Sequence, residues 1–193
     1  MLFFKEQRCG PTKPILHQAC HLWDISGIEG REAAGSIDVT GGWHDAGDYL
    51  KFVSTTAYKA YMLIFAYDFN KVKFGFDNDN DLVPDVLEEA KIGLDWLLRC
   101  NYKPDSLITR VQDLKDHSVE WRLPENDLMK FERKGSIYIT KSESGMYSAA
   151  LAIAAAVWNK KFKSNTFSEA CLTSAMNIYN LRESLPVAGE MIQ

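Results

Sequence analysis

The stretch DVTGGWHDAGDYLKF, from Asp38 to Phe52, sets two carboxylates three residues apart. Asp45 and Asp48 flank Ala46 and Gly47, small residues that allow a tight turn. Such a turn can aim both carboxylates at one water molecule. One holds the water and the other takes its proton, which is what an inverting glycosidase requires. The same spacing suits aspartates that accept backbone N–H groups within a turn, and spacing alone favours that use.

Three further groups could do chemistry. Cys9, Cys20, His21 and His44 hold half of the cysteines and half of the histidines of the chain. Two thiolates and two imidazoles suit a closed, structural tetrahedral zinc site. A Cys9–Cys20 disulfide with two incidental histidines accounts for the same residues. In DNDNDLVPDVLEE, Asp77, Asp79 and Asp81 fall at positions 1, 3 and 5 of a calcium-loop register. Val83, Asp85 and Glu88 follow at 7, 9 and 12, but Leu82 stands where a glycine is usual. An acidic turn capping the next helix is the other reading. Finally, Trp43, His117 and Trp121 lie in segments without helical or strand periodicity. Loop tryptophans can stack on sugar rings or plug the core.

These residues need a scaffold, and the apolar patterning supplies helices. Ser54–Phe69 reads as a helix with Ala57, Tyr61, Ile64, Phe65 and Phe69 on one face. From Pro84 to Asn101, Leu87, Ala90, Leu94, Leu97 and Leu98 form a second apolar face, with acidic residues at its start and Arg99 at its end. The alanine-rich Gly145–Asn159 reads as a helix buried on most sides, and Phe167–Leu185 as another, stopped before Pro186. Short extended pieces are expected in SLITRVQ and SIYIT. Between the helices run loops of up to about 40 residues, lengths that commonly carry function.

With 193 residues, 46% of them apolar, the chain can build one substantial core. A formal net charge of −4 gives no reason to expect nucleic acid or an anionic membrane as a partner. No apolar run approaches the roughly 18 residues of a membrane span. The start MLFFKEQRCG lacks the pattern of a secretion signal.

DVTGGWHDAGDYLKF resembles the N-terminal catalytic signature of glycoside hydrolase family 9, the inverting cellulases and their relatives. NDLVPDVLEEAKIGLDWLLR, DHSVEWRLPE and SAALAIAAAVW resemble further segments of that family, in the same order. The resemblance implies an all-α fold, an (α/α)6 barrel of which this chain is about the first half, with long loops forming a cleft. It implies Asp48 as general base and Asp45 as the holder of the catalytic water. It implies sugar contacts from His117 and Trp121; Trp43, as a loop tryptophan just before the aspartates, is expected to join them. The zinc-containing branch of the family implies structural zinc on Cys9, Cys20, His21 and His44. Calcium on Asp77, Asp79, Asp81 and Glu88 is an expectation from the loop register. The family's general acid is a glutamate in a later segment. Residues 1–193 are therefore expected to be an incomplete catalytic domain, cut at the C-terminal side and at the N-terminal side. Its expected partners are a β-glucan or oligosaccharide and the other half of the barrel. A secreted or periplasmic location follows for the intact protein. Two alternatives remain open: an exo-acting β-glucosidase or exo-glucosaminidase of the same family, and a non-catalytic carbohydrate-binding fragment.

Overall fold

A computed structural model describes residues 2–10, 25–26, 37–123, 126–127, 131, 133–163 and 165–187. Four long helices make the frame: α2 (Val53–Phe69), α4 (Asp85–Cys100), α5 (Lys141–Phe162) and α6 (Asn165–Asn180). Two short helices, α1 (Leu2–Glu6) and α3 (Lys71–Phe74), flank them. α2 packs on α4 and α5, and α5 packs on α6. The shared core includes Ala57, Ala60 and Ile64 of α2 and Leu87, Leu94 and Leu97 of α4. Ala150, Leu151 and Ala154 of α5 and Cys171 and Ile178 of α6 complete it.

Local sequence explains the ends. α5 starts four residues earlier than its apolar run because Thr140 and Glu143 form a reciprocal capping box. Its C-terminus stops at Lys163, which adopts a left-handed backbone conformation with φ of 51°. α6 ends at Asn180 and gives way to a 3-10 turn at Arg182–Ser184, short of the expected Leu185. α2 begins at Val53 with no side-chain cap; the Val53 N–H instead donates to the Thr109 carbonyl at 2.9 Å. Its buried stripe is Val53, Ala57, Ala60, Ile64 and Tyr67. Phe65 and Phe69, expected to be inside, are 43% and 78% exposed and stack in a row with Tyr61. An apolar residue count cannot say which of two apolar stripes faces the neighbours.

Among the described residues there are also five short strands. β1 (Ile25–Ser26) pairs with β2 (Ile37–Asp38), and β3 (Lys51–Phe52), β4 (Arg110–Gln112) and β5 (Lys134–Ser136) form an antiparallel sheet. Lys51 opposes Val111, and Gln112 opposes Lys134. The second extended piece thus falls mostly before SIYIT. This sheet decides where the chemistry sits. β3 leads out of the Asp45–Asp48 turn, while β4 and β5 close the base of the 113–133 loop. Hydrogen bonding of three strands brings two segments 60 residues apart in sequence to one end of the helices.

Candidate active site

A short antiparallel ladder precedes the carboxylate turn. The Cys9 N–H donates to the Gly42 carbonyl at 2.9 Å, the His44 N–H donates to the Gln7 carbonyl at 2.7 Å, and Arg8 bridges Trp43. Side chains of extended segments alternate, so Arg8 and Trp43 share one side and Cys9 and His44 the other. Arg8 and Trp43 converge on Glu89 of α4. Arg8 donates through Nε at 3.1 Å and Nη2 at 2.7 Å, and Trp43 Nε1 donates at 3.0 Å. Only glycine fits beneath: a Cβ on Gly93 would stand 2.2 Å from the Trp43 ring, and one on Gly42 would stand 2.7 Å from Trp96. Trp43 is therefore a core residue, 1% exposed, and not the sugar-facing side chain expected from its loop position.

The turn itself is closed by the Asp45 N–H donating to the Leu50 carbonyl at 2.9 Å, with bends at 46–48 between them. Asp48 is 18% exposed, and its Oδ2 lies 2.6 Å from His117 Nδ1. Trp121 is 72% exposed and crosses the same turn, its Cδ1 3.1 Å from the place a Cβ on Gly47 would take. The structure thus brings Asp48, His117 and Trp121 together at the open end of the helices. Lys59 of α2 stands behind them, its Nζ 3.4 Å from the His44 carbonyl. Burial pulls the Lys59 ammonium below its ordinary range, and the Asp45 charge pulls the other way.

Sequence reasoning missed Lys59 and Glu89. Lys59 carries no signal, since a lysine in a helix is ordinary. Glu89 does carry one: it lies three residues from Val86 and four from Gly93, on the buried stripe of α4. A carboxylate at an apolar phase requires buried partners.

For the expected metals, the residues divide. Cys9 and His44 are buried and share one side of the ladder, and the Lys51 ammonium lies 3.6 Å from Cys9 Sγ. Lys51 is itself buried and donates to the carbonyls of Val39 at 2.5 Å and Gly41 at 3.3 Å. Thiol and imidazole are donor types of a structural zinc site, and the ladder turns Cys9 and His44 to one side, so they fit one. Cys20 and His21 lie outside the described residues. Asp77, Asp79 and Asp81 bring carboxylate oxygens within 4.8 Å of one another, and among the described residues Glu88 is not in that group. Leu82 takes φ of 77°, the conformation for which calcium loops use glycine. The Asp77 carboxylate already accepts the N–H groups of Asp81 at 3.3 Å and Leu82 at 2.8 Å.

The frame is helical, and the Asp48–His117–Trp121 site is built from the segments that join its helices, the arrangement of a helical protein with a loop-built site. The sequence profile described as Glycosyl hydrolase family 9 matches residues 1–190, and the chain belongs to that family. It is 32% identical over 186 residues to Endoglucanase 17 of Arabidopsis thaliana, covering 93% of this chain and 33% of that protein. A metagenome-derived glycoside hydrolase family 9 endoglucanase superposes with a TM-score of 0.73 at 26% identity, over 94% of this chain and 34% of the other. The endoglucanase of the termite Nasutitermes takasagoensis superposes with a TM-score of 0.75 at 25% identity, over 95% and 41%. The fold is a partial (α/α)6 barrel, and the chain spans about a third of the length of the curated relatives it matches.

Proposed function

We propose that this chain supplies the base side of an enzyme that hydrolyses β-1,4-glycosidic bonds of cellulose or a related β-glucan with inversion. Asp48 takes the proton from the attacking water, and Asp45 holds that water. His117 and Trp121 bear on the sugar. The observation that supports this most is the 2.6 Å approach of His117 to Asp48 beneath the exposed Trp121. A turn needed only for folding has no use for a second loop laid across its carboxylate. The general acid is assigned to no residue of this chain; family resemblance puts it in a later segment of the barrel.

Cys9 and His44, with Cys20 and His21, would hold zinc. A zinc ion with four protein ligands is closed to substrate and would fix the ladder ahead of the turn. Asp77, Asp79 and Asp81 remain the residues proposed for calcium, without the Glu88 expected from the loop register.

The test is Asp48→Asn in the intact enzyme, assayed on soluble cello-oligosaccharides. Turnover is expected to fall by roughly 10³-fold or more, as loss of a general base together with its water-holding charge predicts. Zinc content and thermal midpoint are expected to stay unchanged. Near-normal turnover would remove Asp48 from the role of base.

A further inference from the structure

The 113–133 loop carries His117 and Trp121, and among its described residues Leu114 and Leu123 are exposed. A ring of four charges helps to hold it. Arg122 reaches Asp116 Oδ1 through Nη2 at 2.7 Å and Asp127 Oδ1 through Nε at 2.8 Å. Arg133 reaches Asp116 Oδ2 through Nε at 2.9 Å and Nη2 at 2.8 Å, and Asp127 Oδ2 through Nη2 at 3.1 Å. Two carboxylates and two guanidiniums balance, and the side chains of Asp116, Asp127 and Arg133 are fully covered.

Tyr49 joins this ring to the carboxylate turn. Tyr49, the neighbour of Asp48, lies under both guanidiniums, 4.8 Å from Arg122 and 5.8 Å from Arg133. Its hydroxyl donates a hydrogen bond to the Arg122 carbonyl. Its ring also meets His44 edge-on at 4.8 Å. Three of these residues adjoin a residue of the site: Asp116 precedes His117, Arg122 follows Trp121, and Tyr49 follows Asp48.

A buried ring of this kind is a poor source of net stability, because the desolvation of four ions offsets their attraction. Its distinctive property is register. Each carboxylate oxygen meets a defined N–H, so a loop held this way cannot slide as one held by apolar packing can. A loop that needed only anchoring would have no use for the bond to Tyr49.

We infer that Tyr49 and the Asp116–Arg122–Asp127–Arg133 ring form a positioning device that sets the separation between Asp48 and His117. Tyr49 is thus a positioning residue: it acts through the loop and does not touch the reacting atoms. This rests on the proposed role of Asp48.

The experiment is a double-mutant cycle in the intact enzyme on soluble cello-oligosaccharides, with Tyr49→Phe, His117→Ala and the pair. Tyr49→Phe keeps the ring and deletes one hydroxyl. It is expected to lower kcat by about tenfold, in line with the cost of small misplacement, with KM and thermal midpoint nearly unchanged. In the His117→Ala background the same change is expected to cost less than about twofold, because its means of action is gone. Equal factors in both backgrounds would overturn the inference, and so would a loss of kcat that follows a fall in thermal midpoint. Asp48→Asn run alongside separates the two ideas. If it abolishes turnover while the cycle is additive, only the positioning role fails. If it leaves turnover intact, the role of Asp48 fails and the inference with it.

Discussion

Glu88 and Glu89 are neighbours in the first turns of α4 and serve opposite regions of the molecule. Glu89 points inward to Arg8 and Trp43, behind the Asp45–Asp48 turn. Glu88 lies toward the loop of Asp79 and Asp81, which repel it. Both regions are rich in aspartate and turn-forming residues, and in sequence they read alike. The first is bound by contacts between distant residues: Arg8 to Glu89, His117 to Asp48, Arg133 to Asp116. The second closes on itself. Asp77 accepts from Asp81 and Leu82, Asp81 from Val83, and Asp85 from Asn78. An acidic turn built to hold a position is wired to other elements, while one built to end a helix or take a cation is satisfied within itself.

The strongest way to break this contrast is to remove one carboxylate from each region. Glu89→Ala leaves the buried Arg8 guanidinium and the Trp43 indole N–H without their shared acceptor. Loss of one partner of a buried ion pair costs about 3–5 kcal/mol. That cost should appear in the denaturant midpoint together with a loss of the Cys9–Gly42 ladder. Asp79→Ala, in the exposed loop, should change stability by no more than about 0.5 kcal/mol. Comparable costs at the two positions would show that the acidic loop is as much a part of the frame as the Asp45–Asp48 turn.

How much of this was legible beforehand follows from the same contrast. The helices were legible because their apolar periodicity is local; the start of α5 was missed because its capping box, Thr140 with Glu143, lies ahead of the apolar run. Asp48 and His117 could be singled out by type and by family resemblance. Their meeting could not, because it depends on β3 pairing with β4, strands only two and three residues long. Trp43 was misplaced for a related reason. A tryptophan in a glycine-rich segment suits a cleft or a core equally. What decides is the gap over Gly93, on another helix, and the acceptor on Glu89. The charge ring was hidden because Asp116, Arg122, Asp127 and Arg133 have no regular spacing. Only the fold of the loop makes them neighbours.

A smaller effect sharpens the contrast from the side of the acidic loop. Leu82 holds φ of 77° while 81% exposed, so it is strained and buries little. The left-handed conformation costs a side-chain-bearing residue about 1–2 kcal/mol, and glycine loses about 0.5–1 kcal/mol in extra unfolded-state freedom. Leu82→Gly is therefore expected to stabilise the chain by about 0.5–1 kcal/mol, read as a higher denaturant midpoint at unchanged slope. No strain of this kind is relieved by substitution at Gly42, where φ is 73° and a Cβ would strike Trp96; Gly42→Ala should be destabilising. A gain at 42 or a loss at 82 would reverse the assignment of which turn is locally tuned.

The smallest expected effect is electrostatic. Burial, then the charges of Asp79, Asp81 and Asp85, push the Glu88 carboxyl above its ordinary value of 4.5, with Lys5 opposing. The folded state therefore holds this proton more tightly than the unfolded state does. Below pH 4.5 both states are protonated and Glu88 contributes no difference. As pH rises from 4.5 through the folded-state value, the folded chain must ionise a carboxyl among like charges, and stability falls. Glu88→Gln should flatten that part of the stability curve, measured as denaturant midpoint between pH 4.5 and 7, and leave the curve elsewhere unaltered. Calcium should do the same to the unsubstituted chain if the loop takes the ion, because a cation among Asp77, Asp79 and Asp81 cancels the charges that oppose ionisation. An unchanged slope in Glu88→Gln would mean that Glu88 does not feel the loop. The two faces of α4 would then differ in packing alone and not in charge.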